Sequence, residues 1–204
     1  GSGTVISQTL TSLSGGSVTY VITPSANGCA GTPVTVVASV SAIPVGTPVP
    51  AGTHRICSGT TLSITPVSSV ASTTFSWSGS NGSGGTGIID DSPVNLTTAP
   101  INITYTVIPT GPTPTFCVGA PFDIVVTVNP IPAITNATLT QTFCGTGTAT
   151  FTPTINVASS TYSWTSTVIT GTVSGLVASG SAPVNNSLTN TGNTDAVVRY
   201  RVTP

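Results

Sequence analysis

An internal repeat of about ninety residues is the feature that most constrains how this chain folds. Four pairs of markers lie 87 or 88 residues apart: Cys57 and Cys144, Trp77 and Trp164, Cys29 and Cys117, and the dipeptides Ile43-Pro44 and Ile131-Pro132. Because four separate markers agree on nearly one interval, the sequence predicts tandem copies of one structural unit.

Two proline-marked segments indicate where one copy ends and the next begins. They read "SAIPVG" and "NPIPAI", and proline has no amide N–H with which to continue a central strand. These boundaries predict residues 1–44 as the C-terminal part of one repeat, residues 45–132 as a complete repeat, and residues 133–204 as the N-terminal part of a third. We expect the chain to be a window from a longer tandem array.

The local pattern within each copy predicts β-strands. The segments "TTLSITP", "TTFSWS", "NITYTVIP" and "PFDIVVTVN" alternate apolar and polar residues, which places one row of side chains in a core and the other outside. Gly, Pro, Asn and Ser separate these short β-branched runs, and no segment has helical spacing. The sequence therefore predicts an all-β fold made of tandem immunoglobulin-like antiparallel β-sandwiches.

Aromatic residues at repeated positions are the predicted core. Three tyrosines begin the related phrases "YVITP", "YTVIP" and "YRVTP", and both tryptophans lie within apolar alternations. The predicted core aromatics are Trp77, Trp164, Tyr20, Tyr105 and Tyr200. The alternative for the tryptophans is an exposed position, where an indole ring stacks on sugars.

Two segments, "SVTYVITPSANGCAGTPVTV" and "NITYTVIPTGPTPTFCVGAPFDIVVTV", share one pattern of two alternating strands joined by a turn. We interpret both copies as the sixth and seventh strands of a sandwich, joined across a turn. In the first copy, the side chains expected to face inward are Val18, Tyr20, Ile22, Val34, Val36, Ala38 and Val40.

Composition excludes several classes of function. Only 3 % of the residues are charged and the net charge is −1, so no basic patch is available to bind nucleic acid. No apolar run approaches the roughly 18 residues that a membrane-spanning helix needs, so we expect no membrane insertion.

The candidate catalytic and metal-binding residues are few, and each has a plainer interpretation. The segment "GSGGTG" at 82–87 resembles a dinucleotide fingerprint, but "IIDDSP" follows it where a helix is needed. His54, the only histidine, has no metal ligand at a suitable spacing, and we expect it on a solvated turn. Asp90 and Asp91 are adjacent, so they point to opposite faces of a strand and make a poor acid–base pair; a turn is favoured over a calcium site. We therefore expect no enzymatic activity, no cofactor and no metal.

The four cysteines recur once near the front and once near the back of each copy, which suggests structural disulfides and an oxidising, extracellular setting. Within the complete repeat, the natural pair is Cys57 with Cys117. An immunoglobulin-type topology places these two positions at opposite ends of the sandwich. In that case each bridge joins neighbouring repeats instead.

The phrases "CSGTTLSI", "TTFSWS", "YTVIP" and "FDIVVTVNPIP", with "YVITPSANGCAGTPVTV" before them, resemble the PKD-like repeats of very large Bacteroidota surface proteins. The nearest group is the SprB-like gliding-motility adhesins. The resemblance implies a tandem β-sandwich stalk that is exported by type IX secretion and held at the cell surface.

Two functions remain in competition. The first is a structural and adhesive repeat of a long extracellular adhesin or filament, used in gliding or surface attachment. Its expected partners are neighbouring repeats of the same chain, surface polysaccharide or other filament chains. The alternative is a carbohydrate-binding or accessory module of a secreted multidomain enzyme.

Overall fold

The structure is a computed structural model that describes residue 3, residues 5–12 and residues 14–204. The regular secondary structure of this described part consists of β-strands, as the alternating sequence pattern predicts, and the fold is all-β. The described residues contain no helix that is long and apolar enough to cross a membrane.

The N-terminal region forms two antiparallel strand pairs. Its four strands are β1 (Gly16–Ile22), β2 (Ser25–Ala26), β3 (Cys29–Ala30) and β4 (Val34–Val40). Strand β1 pairs antiparallel with β4, so that Tyr20 lies opposite Val36. The short β2–β3 hairpin closes the connection at Asn27-Gly28, where both residues have positive φ as a tight hairpin turn requires.

The central region forms two facing sheets. Its strands are β5 (Gly46–Val49), β6 (His54–Cys57), β7 (Leu62–Ser68), β8 (Thr74–Gly79), β9 (Gly84–Thr86), β10 (Ile89–Asp91), β11 (Ile101–Thr110) and β12 (Phe122–Asn129). One sheet has the order β10-β7-β5, and the other has the order β6-β12-β11-β8-β9. The predicted sixth and seventh strands are therefore neighbours, as expected.

The core lies between these two sheets. Alternate residues of β7 and β10 are buried on one side, among them Ile64 and Ile89. Alternate residues of β11 and β12 are buried on the other side, and Tyr105, Val107 and Val126 are completely inaccessible. The period-two pattern read from the sequence thus describes the burial of these strands correctly.

The C-terminal region repeats most of this arrangement. Its strands are β13 (Thr146–Phe151), β14 (Ser163–Thr170), β15 (Val173–Ser174), β16 (Ser179–Gly180), β17 (Val184–Asn190) and β18 (Val197–Thr203). They form two three-stranded sheets, in the orders β13-β17-β15 and β16-β14-β18. Strand β18 corresponds to β11, and it lies at the edge of its sheet.

The side chains predicted to face inward on β1 and β4 are far less buried than the equivalent side chains of β11 and β12. Tyr20, Ile22, Val36 and Ala38 share one face, where they line an open depression of about 360 Å³ together with residues 3, 5 and 6. The predicted face is therefore real, but Ile22, Val34 and Val36 remain 40–59 % exposed. The reason is that no second sheet packs against this strand pair in the described part of the chain.

The chain divides into two compact units, Gly1–Pro93 with Asn102–Thr127, and Val94–Ile101 with Val128–Pro204. This division follows spatial contacts and is not a test of the repeat boundaries at residues 44 and 132. Those boundaries stay a prediction.

Candidate functional site

An aromatic pair forms the centre of the complete repeat. Trp77 on β8 and Tyr105 on β11 meet edge to face, with ring centroids 5.8 Å apart and planes at 70°. Both residues are buried, and the indole Nε1 of Trp77 donates a hydrogen bond to the carbonyl oxygen of Ile88 at 3.1 Å. A buried indole whose N–H is bonded inside the protein is a packing residue, so Trp77 does not present a face to a sugar.

The hydroxyl of Tyr105 contacts the carboxylate of Asp91, which accepts hydrogen bonds from four donors. Oδ2 of Asp91 accepts hydrogen bonds from the Tyr105 hydroxyl at 2.7 Å, from Nδ2 of Asn81 at 2.8 Å and from Oγ of Ser83 at 2.8 Å. Its Oδ1 accepts the backbone N–H of Ser92 at 2.8 Å. Asp91 therefore ties strands from both sheets and the β8–β9 turn to one point.

These contacts shift the pKa values of Asp91 and Tyr105 further from neutral pH. Burial raises the pKa of Asp91, but the hydrogen bonds outweigh it, so the pKa lies below its ordinary value of 3.8. Burial, together with the hydrogen bond and the charge of Asp91, raises the pKa of Tyr105 well above its ordinary value. A general acid or base needs a pKa near the working pH, so the arrangement is suited to holding strands together rather than to catalysis.

A glycine makes room for the tryptophan. Gly85 on β9 lies opposite Trp77, and a Cβ at this position would be 2.9 Å from Cζ2 of the indole. Only a residue without a side chain fits beside the ring in this geometry.

The same cluster is built again in the C-terminal region. Trp164 and Tyr200 meet at 5.7 Å and 67°, and Nε1 of Trp164 donates to the carbonyl of Ala182 at 2.7 Å. Gly180 lies opposite Trp164, where an added Cβ would be 2.6 Å from Cζ2. In place of a carboxylate, Nδ2 of the buried Asn186 donates to the Tyr200 hydroxyl at 2.8 Å.

The first repeat has a reduced version of the cluster. The hydroxyl of the half-buried Tyr20 donates to Oε1 of Gln8 at 2.7 Å. Each of the three tyrosines thus bonds a polar side chain that precedes it by 12 or 14 residues, and the three partners are Gln8, Asp91 and Asn186. Sequence reasoning found the tyrosines but missed these partners, because their chemical types differ. The signal that remained was their nearly constant distance from each tyrosine.

The other candidates are dispersed. His54 is half-buried on β6 rather than on a solvated turn, and its Nε2 has no hydrogen-bond partner. The segment "GSGGTG" contains a turn and the strand β9, and no helix follows it. Within the described residues, no three His, Cys, Asp or Glu side chains are grouped as metal ligands.

The expected Cys57–Cys117 bridge does not form, and all four cysteines are free thiols. Near Cys57, the amide of Gly59 bonds the carbonyl of Pro93, two residues after Asp91, which lies opposite Leu62 at the start of β7. Cys117 lies at the other end of the sandwich, where its carbonyl accepts the amide of Gly111. Strand β7 separates the two ends by about 20 Å, whereas the Cα atoms of a disulfide are about 4.4–6.8 Å apart.

One exposed feature of the complete repeat was not anticipated. In the β11–β12 loop, Phe116 is 58 % exposed and has a φ of 47°, which is unusual for a bulky residue. The neighbouring Thr115 and Cys117 help to line a cavity of about 210 Å³, which also contacts Ser41 and Val70. In the first repeat, the compact Asn27-Gly28 hairpin lies at the corresponding place.

Comparison with protein families gives a match that covers most of this sandwich, from β6 to the end of β12. Residues 54–132 match the family model of the PKD-like domain. The central sandwich is therefore similar to a PKD-like domain. Such a domain indicates an extracellular or surface-associated adhesive or accessory module. No curated protein matches the chain.

Proposed function

We propose that the chain is a structural and adhesive segment of a long extracellular surface protein. The observation that carries this proposal is the repetition of one packing cluster, with ring distances of 5.8 and 5.7 Å, in two successive copies. Repetition of a core, rather than of a polar site, is typical of units that are selected for length.

The physical properties of the surface support this role. Only 3 % of the residues are charged, and residues 1–53 contain no Asp, Glu, Lys, Arg or His. Such a surface changes little with salt or pH, because there is little charge to screen or to titrate. We propose attachment to the cell surface, export by type IX secretion and a role in adhesion or gliding, with neighbouring repeats as the main partners.

The test is a deletion of residues 45–132 from the surface protein in its native cells. A spacer predicts a stalk that is shorter by one repeat, with surface display, adhesion and gliding largely retained. A matched substitution, Trp77→Ala, separates length from folding because it should destabilise the repeat by about 3–5 kcal/mol without removing it. Normal display with complete loss of adhesion after the deletion would show that this copy carries a specific site.

A second candidate is a carbohydrate-binding accessory module, which the exposed Phe116 favours. An exposed aromatic ring on a loop provides a surface on which sugars stack, whereas Trp77 is only 8 % exposed. A glycan array of the chain and of its Phe116→Ala variant tests this candidate. Loss of a glycan signal in the variant at an unchanged melting temperature would favour the accessory function, and the absence of any signal would favour the spacer. In both roles we propose that the chain has no catalytic activity of its own.

A further inference from the structure

The linker that precedes the complete repeat is anchored at one residue. This linker comprises residues 41–46, "SAIPVG", and Pro44 within it is completely buried. Its neighbours are not, since Ile43 is 51 % exposed and Val45 is 64 % exposed. Proline is mostly exposed in folded proteins, so the burial of Pro44 between two exposed residues indicates a specific seat for it.

Two buried glycines of the β11–β12 loop form this seat. An added Cβ at Gly119 would overlap the carbonyl oxygen of Pro44, and one at Gly111 would be 3.8 Å from Cδ of the Pro44 ring. Neither glycine has a positive φ, so the backbone conformation does not require glycine at these positions. The space that Pro44 occupies therefore explains the missing side chain at Gly119. We call Gly111, Gly119 and the buried Pro109 the proline seat.

Hydrogen bonds within the loop hold the proline seat in shape. The amide N–H of Gly119 donates to the carbonyl of Pro109 at 2.8 Å. The amide N–H of Gly111 donates to the carbonyl of Cys117, also at 2.8 Å. The walls of the seat are thus fixed by the complete repeat itself and do not depend on the linker.

The residue after Pro44 is held by a second set of contacts. The amide N–H of Val45 donates to Oγ of Ser69 at 3.1 Å, and the amide N–H of Ser69 donates to the carbonyl of Val45 at 3.0 Å. Strand β5 begins at the next residue, Gly46, where an added Cβ would be 3.1 Å from Cδ1 of Phe122. The linker therefore passes from the proline seat directly into the sheet.

We propose that this linker is a locked joint, in which Pro44 in the proline seat holds the chain in one backbone conformation. Linkers rich in Gly and Ser behave as flexible chains, and a seated proline prevents that behaviour here. The inference rests on the proposed role of the chain as a stalk. It makes Pro44 and Gly119 the residues that determine how stiff the stalk is where it enters the complete repeat.

Backbone ¹⁵N relaxation of the 204-residue chain measures the joint directly. Pro44 has no amide N–H, so the amides of Ile43 and Val45 report on its two sides. A locked joint predicts order parameters of about 0.85 at both amides, the value of a rigid backbone, whereas a flexible linker predicts values below about 0.6.

Gly119→Ala fills the proline seat and should release the linker. We expect the order parameter of the Ile43 amide to fall below about 0.6. The fall at Val45 should be smaller, because Ser69 still bonds this residue.

Gly31→Ala is the matched control in the first repeat. The amide N–H of Gly31 donates to the carbonyl of Pro24 at 2.7 Å, as that of Gly119 does to Pro109. An added Cβ at Gly31 would be 3.0 Å from Cγ of Pro24, and its three nearest heavy atoms all belong to Pro24. This variant changes the same kind of loop without touching the linker, so the order parameter of Ile43 should stay at its native value.

Pro44→Ala is a second variant, which empties the seat without adding bulk to the loop. It should also lower the order parameter of Ile43, and it decides the question if Gly119→Ala does not fold. The indole N–H signal of Trp77, which is bonded inside the core, shows whether each variant is folded.

Three outcomes would overturn the proposal. They are an order parameter below about 0.6 at Ile43 in the native chain, a native value at Ile43 in the folded Gly119→Ala or Pro44→Ala variant, and an equal loss in Gly31→Ala. Each would leave the proposed function standing, because a flexible stalk still acts as a spacer. The deletion of residues 45–132 tests that function separately, and its result does not depend on these order parameters.

Discussion

The strand pairs β1–β4 and β11–β12 have almost the same alternation of apolar and polar residues but very different burial. Tyr105 is inaccessible to solvent, whereas the equivalent Tyr20 is only half-buried. Val36 is 46 % exposed, whereas the equivalent Ile124 is 3 % exposed. Alternation thus determines which side chains share a face, and the facing sheet β10-β7-β5 determines whether that face becomes a core.

The comparison also separates the two levels at which the repeat is encoded. Backbone pairing needs only the local pattern and a turn, and β1 and β4 satisfy this requirement without a second sheet. Packing needs residues from distant parts of the same copy, such as Leu62 and Ile89. An isolated two-stranded pair is marginally stable in water, so the first pair contributes much less to stability than the second.

The largest difference is expected for the equivalent tyrosines. Tyr105→Ala removes a buried aromatic ring that packs on Trp77 and should lower the free energy of unfolding by about 3–5 kcal/mol. Tyr20→Ala should cost about 1 kcal/mol or less, because the ring is already partly in water. Urea denaturation of both variants measures the two values. Equal costs would mean that burial does not separate the two strand pairs.

The next effect concerns the glycine beside the indole. Gly85→Ala places a methyl group 2.9 Å from Trp77 Cζ2, and overpacking of this kind should cost about 1–3 kcal/mol. Gly16→Ala on β1 is the matched control, because nothing lies within 4 Å of its added Cβ. Thermal melts should show a lower melting temperature for the first variant only. A loss in both would contradict the assignment of the effect to the indole.

A smaller effect is expected for the two loop asparagines. Asn95→Ala removes side-chain bonds to Ala99 and to Val128 of β12 and should cost about 1–3 kcal/mol. Asn190→Ala removes the bond to Thr194 without a counterpart to the Val128 bond, so its cost should be smaller. Chemical denaturation tests the difference. If Asn190→Ala costs more than Asn95→Ala, the bond to β12 is not the distinguishing contact.

The smallest effect is a pH dependence that only the central cluster should have. The pKa of Asp91 is lowered in the folded state, so its contribution is complete above the ordinary value of 3.8 and is lost as the pH falls through the folded value. Asp91→Asn should remove this decline below about pH 4. Tyr105 is the titratable group that faces Asp91, and Asp90 is adjacent on the same strand. Melting curves of both proteins between about pH 2.5 and 6, a range that spans the ordinary pKa values of carboxyl groups, test this pH dependence. Parallel profiles would contradict the assignment to Asp91.

Sequence reasoning was most successful where a contact follows from periodicity. The all-β fold and the adjacency of β11 and β12 both follow from local patterns. The structure also buries Trp77, Trp164 and Tyr105, as predicted for core positions. These positions are decided by alternation and side-chain size, which a single sequence displays directly.

The remaining features depend on contacts between distant residues that have no fixed chemical type. Asp91 was assigned to a turn, yet it lies at the end of β10 and accepts bonds from Asn81 and Tyr105. Cys57 and Cys117 lie near the front and the back of one copy, but their positions in the sequence do not show that the seven-residue strand β7 separates them. The exposed Phe116 depends on a loop conformation that local pattern does not determine.

The glycine opposite each tryptophan also shows where the repeat is free to change its length. Trp77 and Gly85 are eight residues apart in sequence, whereas Trp164 and Gly180 are sixteen apart, yet each pair is opposed across neighbouring strands. The eight additional residues extend the hairpin and contribute β15, which pairs with β17. An engineer who wishes to insert a tag, a fluorophore or a binding peptide therefore has a natural precedent at this hairpin, where one copy already carries an insertion and retains its core.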